Sequence, residues 1–249
     1  MITPIVLSPA TPAELLQYIL AYQTHPTTLL ICSTRADFLS SLAQDVQAQV
    51  QVPRQHESRD DNSDGRDTEA PKSLPLPLLA APIYQVAVAR HIRMLFLPTV
   101  THLRAYLAVF TPHDSKVPPP PLRRTKGLET TSTSTSASSS TSNCPRPPLL
   151  LAYGFLSLHR DTSEWSAQGI GSTAAALVEA ASPHEFRAAV VEPRGDGGHA
   201  NFHSVLSEPA PVLSRGVRRD EGGWMGRTVE VRSVLARWFR FQSGQWDLK

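Results

Sequence analysis

The first place to look for chemistry is Cys32-Ser33-Thr34-Arg35-Ala36-Asp37, which follows an apolar run. A strand hands over to a phosphate-binding loop at such a position. The loop needs glycines that bare backbone N–H groups, then Lys and Ser/Thr for phosphate and magnesium. This segment has neither glycine nor lysine, so Ser33-Thr34 reads as the cap of the helix that follows. Gly169-Ile170-Gly171-Ser172-Thr173 is glycine-rich, but it falls at the start of a helix or inside one, and reads as a kink or a close approach to a sheet. His159-Arg160-Asp161 matches a kinase catalytic loop in three letters. The Asn such a loop requires is Ser166 here, and no glycine-rich loop or DFG accompanies it. Ser157, His159 and Asp161 are triad residue types without a G-x-S-x-G elbow. The nine histidines are scattered without HExxH spacing. Cys32 lies in a run that reads as a buried strand and Cys144 in a Pro/Ser linker, so both are expected to be free thiols. No catalytic residue, cofactor or metal ligand is assigned.

The C-terminus is more unusual. Arg215, Arg218 and Arg219 precede a run in which Arg227, Arg232, Arg237 and Arg240 are interleaved with Val229, Val231, Val234, Leu235, Trp238, Phe239 and Phe241. In a strand this pattern sets arginines beside aromatic rings on an exposed face, a combination suited to phosphates and bases. Arg215, Arg218, Arg219, Arg232, Arg237 and Arg240 are therefore the candidate nucleic-acid contacts. An interface with a partner protein and a plain solvated sheet edge are the two other readings the pattern allows. The net charge is only +2, so nucleic-acid binding must rest on a local patch of this kind.

The elements that would position these residues read as follows. Thr11-Pro12-Ala13-Glu14 is a helix start, with a Thr cap, Pro at the first helical position and Glu closing a capping box. Leu15, Leu16, Ile19 and Leu20 share one face of that helix. Thr27 to Ser33 reads as a strand buried on both sides, as in a parallel sheet. Arg35 to Val50 follows as a helix. Leu74 to Ala81 is a candidate strand, Ile83 to His91 a helix, Ile92 to Leu97 a strand and Thr99 to Phe110 a helix. Leu149 to Leu158 is predicted to be a strand, Ser163 to Ala181 a helix with an Ala-rich body, and Phe186 to Glu192 a strand. Gly195 to His199 reads as a loop. Val212 to Val217 and Arg227 to Phe241 read as two further strands joined by a turn at Gly222-Gly223, giving a β-rich C-terminus.

Two stretches stand apart. Residues 52–73 are polar and charged, and 111–148 run from PPPP through Arg123-Arg124-Thr125-Lys126 into an almost pure Ser/Thr tract. Both are expected to be disordered insertions in one domain spanning 1–249. The Ser/Thr tract is a candidate for phosphorylation and the basic cluster for an import or anion-binding signal. Met1 to Ala10 lacks the features of a signal peptide, and no apolar run approaches the roughly 20 residues that span a bilayer. A cytosolic or nuclear protein is expected.

Four segments, in order, resemble a degenerate RecA-type ATPase domain: TLLICSTRADFL, HIRMLFLPTVTHLRAYL, LLLAYGFLSLHRDTSEWSAQGIGSTAAALVEAA and GRTVEVRSVLARWFRF. The layout is similar to the non-catalytic recombinase paralogues, the Shu-complex-type subunits. The phosphate loop is missing, and Leu149 to Leu158, at the Walker B position, ends without the acid that would hold magnesium-bound water. What the resemblance implies is a RecA-like α/β fold, a mostly parallel sheet flanked by helices. It implies a nuclear, non-enzymatic subunit that pairs with another RecA-like protein, contacts single-stranded DNA and assists recombinase assembly in homologous-recombination repair. A scaffold in another RecA-like assembly, such as the Elongator subassembly acting on tRNA, is the nearest alternative, and an enzyme with an unfamiliar site the more distant one.

Overall fold

A computed structural model describes residues 2–22, 26–51, 83–112, 147–195, 198–213 and 227–248. Among them, the chain forms a six-stranded, all-parallel sheet flanked by helices, with a small antiparallel pair beside it. The strands are β1 (Ile5–Leu7), β2 (Thr27–Ile31), β3 (Ile92–Phe96), β4 (Leu149–Tyr153), β5 (Arg187–Val191) and β8 (Arg240–Gln242), in the order β3-β2-β4-β5-β1-β8. The antiparallel pair is β6 (Pro209–Pro211) with β7 (Thr228–Glu230). The helices are α1 (Pro12–Tyr22), α2 (Arg35–Gln51), α3 (Ile83–Ala89), α4 (Val100–Ala108), α5 (Phe155–His159), α6 (Ala167–Ala181), α7 (Gly198–Ser207) and α8 (Val231–Leu235), with 3₁₀ turns at Ser182–His184 and Gln245–Leu248.

The two-residue period of a strand divides the core in two. Ile5, Leu7, Leu29, Ile31, Leu149, Leu151, Ala189 and Val191 face α1, α2 and Trp246. Val6, Leu30, Leu150, Ala152, Ala188 and Val190 face α4, α6 and α8. Leu29, Leu30, Leu149, Leu150 and Leu151 are wholly buried, which is why these runs carry no polar alternation. Each such side chain contributes roughly 1.5–3 kcal/mol on leaving water.

Local signals set several helix starts. The Thr11 N–H donates to Glu14 Oε2 at 3.0 Å and the Glu14 N–H to Thr11 Oγ1 at 3.4 Å, the reciprocal capping box. Thr99 caps α4 by accepting from the His102 N–H.

Five expectations are corrected. The strand predicted over Leu149 to Leu158 stops at Tyr153: Gly154 adopts φ +82°, a left-handed conformation open to glycine, and α5 follows at once. The helix expected from Ser163 begins at Ala167, capped by the Ser166 hydroxyl, which accepts from the Gly169 N–H at 3.0 Å. The expected loop at Gly195 to His199 gives way to α7 from Gly198. Of the strand expected at Val212 to Val217, Val212 and Leu213 lie outside any strand, directly after β6 (Pro209–Pro211), and 214–217 lie outside the described residues. The long strand expected over Arg227 to Phe241 divides into β7, α8 and β8, because Val231, Val234 and Leu235 fall at helical spacing and bury together against the sheet. The candidate strand Leu74 to Ala81, residues 52–73, residues 113–146 and the Gly222-Gly223 turn lie outside the described residues.

Candidate functional site

In open parallel α/β sheets, ligands bind beyond the carboxyl ends of the strands. Here that edge brings together the turns after β2, β4, β5, β1 and β8. After β2 the chain enters a helix cap. Thr34 Oγ1 accepts from the Asp37 N–H at 3.2 Å and donates to Asp37 Oδ2 at 2.6 Å, as its sequence position predicts. Cys32 is buried, and its N–H donates to the Tyr153 carbonyl at 2.9 Å. Burial, with the nearby Glu192 carboxylate adding to it, pushes the Cys32 thiol well above its ordinary range. It is therefore not a thiolate at neutral pH.

Glu192, the first residue after β5, sits at the centre of this edge. Its side chain is buried and turned back onto the first turn of α5. One oxygen accepts from the Leu156 N–H at 2.6 Å, the other from the Ser157 N–H at 3.3 Å and the Ser157 hydroxyl at 3.1 Å. Burial pushes the Glu192 pKa up from 4.5 to about 7, and the bonds from Leu156 and Ser157, with Arg160 nearby, oppose that shift. The Walker B position, at the end of β4, carries no acid; the buried acid of this edge follows β5 instead. In sequence Glu192 is an acid set directly after the strand Arg187 to Val191, which marks its place but not its burial.

The turn after β1 is tied down in the same way. Arg194 pairs with Glu14 at 3.0 Å and donates to the Pro9 carbonyl, and the Tyr153 hydroxyl donates to the Ala10 carbonyl at 3.0 Å. Asp247 Oδ2 accepts from the Ser8 hydroxyl and the Gly244 N–H, with Arg194 3.9 Å from its other oxygen.

The histidine of His159-Arg160-Asp161 is fully buried. Its Nδ1 lies 2.7 Å from the Phe155 carbonyl, which can only accept, so Nδ1 carries the proton. Nε2 lies 2.9 Å from the Thr173 hydroxyl, whose oxygen accepts from Arg104 Nε at 2.9 Å and whose proton has two acceptors in reach, Nε2 and the Gly169 carbonyl at 3.0 Å. Arg104 also pairs with Glu164 at 2.7 Å and donates to the Gly169 carbonyl at 2.9 Å. Acceptor-only Phe155 places a proton on Nδ1, and burial favours the neutral ring, for which the Thr173 hydroxyl donates to Nε2. Burial first, then the charge of Arg104, depresses the His159 pKa. Ser157 bonds to Glu192, and His159 to Phe155 and Thr173, so the triad residue types do not converge. The glycine-rich Gly169 to Thr173 is close packing: a Cβ at Gly169 would lie 2.3 Å from the Glu164 carbonyl oxygen.

Of the candidate nucleic-acid residues, Arg215, Arg218 and Arg219 lie outside the described residues. Arg232, Arg237 and Arg240 are all exposed, but they do not line one strand. Arg240 pairs in register with Ile5, on the α1/α2 side of the sheet, whereas Phe241 pairs with Val6 on the α6/α8 side. Arg232, on α8, holds its guanidinium 5.5 Å from the centroid of the Phe241 ring. Phe239 is buried and Trp238 lies partly open. Between α7, α8 and the ends of β1 and β8 is a groove of about 240 Å³, walled by Val6, Phe202, Leu206 and Phe241 and edged by Arg232 and Asp247.

No His/Cys/Asp/Glu cluster with the makings of a metal site occurs among the described residues, and no helix among them is long and apolar enough to cross a membrane. No family model, no curated protein and no solved structure matches the chain.

Proposed function

We propose that the chain is a non-catalytic subunit of a DNA-repair assembly, built on a RecA-like sheet, that pairs with a second RecA-like protein and assists recombinase assembly on single-stranded DNA in the nucleus. The observation that carries the non-catalytic part is Glu192. Phosphate chemistry at this edge would need an acid free to hold a magnesium-bound water and a loop of bare N–H groups. Glu192 is instead buried and capping α5, and Thr34 is capping α2. The polar groups at the edge stabilise the fold. What favours nucleic acid is the Arg232–Phe241 pair beside an open groove.

The experiment is affinity purification of the tagged full-length chain, with partners identified by mass spectrometry, followed by single-stranded DNA binding and ATPase assays on what is recovered. The expected result is a recombinase paralogue, DNA binding by the pair, and no ATP turnover that depends on Ser33 and Thr34. Recovery of tRNA-modification subunits instead would transfer the chain to an Elongator-type scaffold. Turnover abolished by changing Ser33 and Thr34 would overturn the non-catalytic reading.

A further inference from the structure

We propose that the groove at the carboxyl ends of β1 and β8 takes one nucleotide unit of a single strand, its base in the groove and its phosphate on Arg232; this rests on the single-stranded DNA reading above. The volume of about 240 Å³ exceeds the roughly 150 Å³ known to hold one benzene-sized ring, which suits a base but not a nucleoside triphosphate. Half-buried Phe202 and Phe241 offer ring surface to a planar base, over a floor of buried Val6 and Leu206. Stacked over Phe241, the Arg232 guanidinium keeps its N–H edge for an anion, and among the described residues no carboxylate pairs with it. Exposed His203 stands on the same rim as a second donor. Exposed Gln242 supplies an amide acceptor for the amines of a base. A free phosphate would leave the apolar walls uncovered, and a neutral ring would leave Arg232 unused. A nucleotide is planar and anionic at once, so it uses both.

The nucleotide can come from a strand or from the free pool, and the experiment separates these. Fluorescence anisotropy is measured with a labelled 20-base oligo-dT, a matched abasic 20-mer and unlabelled dTMP as competitor. The protein is the full-length chain with any co-purified partner, as wild type, Arg232→Ala, Arg232→Lys and His203→Ala. Wild type is expected to favour oligo-dT over the abasic strand by between about 5-fold and 150-fold, the range for one stacked base. Arg232→Ala is expected to lower the salt slope by about one unit, and Arg232→Lys to restore the slope without the full affinity. His203→Ala is expected to weaken binding less than Arg232→Ala. Arg232 and His203 are exposed, so these variants fold. If oligo-dT binds but shows no preference over the abasic strand and no response to Arg232→Ala, the groove proposal fails while the DNA reading stands. If dTMP displaces the strand at equal nucleotide concentration, the groove is a mononucleotide site and the strand assignment is overturned. If wild type binds neither oligonucleotide, both readings fall together.

Discussion

Replacing Glu192 with Gln tests how the centre of the sheet's carboxyl edge is built. In the protonated state the Glu192 acid has one acceptor oxygen for the Leu156 N–H and one O–H for the Ser157 hydroxyl. Gln supplies the same acceptor and an N–H in place of the O–H, so it mimics the uncharged state, except that its nitrogen cannot accept from the Ser157 N–H, a loss of about 1 kcal/mol that is the same at every pH. The folded pKa of about 7 lies above the unfolded 4.5. Below 4.5 both states carry the proton. Between 4.5 and 7 the folded protein keeps a proton that the unfolded chain has lost, so stability falls as pH rises. The loss across that window is about 3 kcal/mol. Relative to wild type, Glu192→Gln is therefore expected to gain most of that roughly 3 kcal/mol between pH 5 and pH 8, on top of the constant loss. The assay is urea denaturation of both proteins at pH 5, 6, 7 and 8, with the m-value checked for constancy. His159 titrates in both proteins and cancels in the difference. A stability difference that does not change with pH would refute the reasoning: the bonds from Leu156 and Ser157 would then outweigh burial and leave Glu192 an ordinary carboxylate.

Three further outcomes are expected. His159 has a folded pKa below its unfolded value near 6.5, so its contribution falls as pH drops below 6.5; in Glu192→Gln, where the opposing Glu192 titration is gone, stability should decline toward acid by up to about 1.4 kcal/mol per pH unit. Thr173→Val removes the hydroxyl between Arg104 and His159 and leaves buried groups without partners, which should cost about 2–4 kcal/mol in chemical denaturation, whereas Thr173→Ser should cost far less. Equal losses for the two would show that packing, and not the hydrogen-bond chain, is at stake. Gly169→Ala forces a Cβ to within 2.3 Å of the Glu164 carbonyl and should destabilise by about 1–3 kcal/mol by thermal melting, despite the better helix propensity of Ala.

What the sequence determined alone was local or nearly so. Thr11 with Glu14 and Thr34 with Asp37 announce helix starts because a hydroxyl and a carboxylate three residues on can satisfy exposed N–H groups within one turn. The runs Thr27–Ile31, Leu149–Tyr153 and Arg187–Val191, apolar apart from Thr27, Thr28 and Arg187 at their starts, announce a parallel sheet, since strands covered on both faces drop the polar alternation. The lack of glycine and lysine after Ile31 was equally plain. Tertiary structure decided the rest. Three apolar residues, Ile5–Leu7, are too few to signal a strand, and they become one only because β5 and β8 supply hydrogen bonds on both sides. Val231, Val234 and Leu235 suit either a strand or a helix, and the space against α6 and the sheet selects the helix. That choice moves Arg232 onto a helix and leaves Arg240 on the opposite face of the edge strand. Glu192 looks in sequence like any solvated acid at a strand end. Its burial follows from Gly154, whose left-handed turn swings the N–H groups of Leu156 and Ser157 to within reach of its carboxylate, a contact between residues 36 apart that no local pattern encodes.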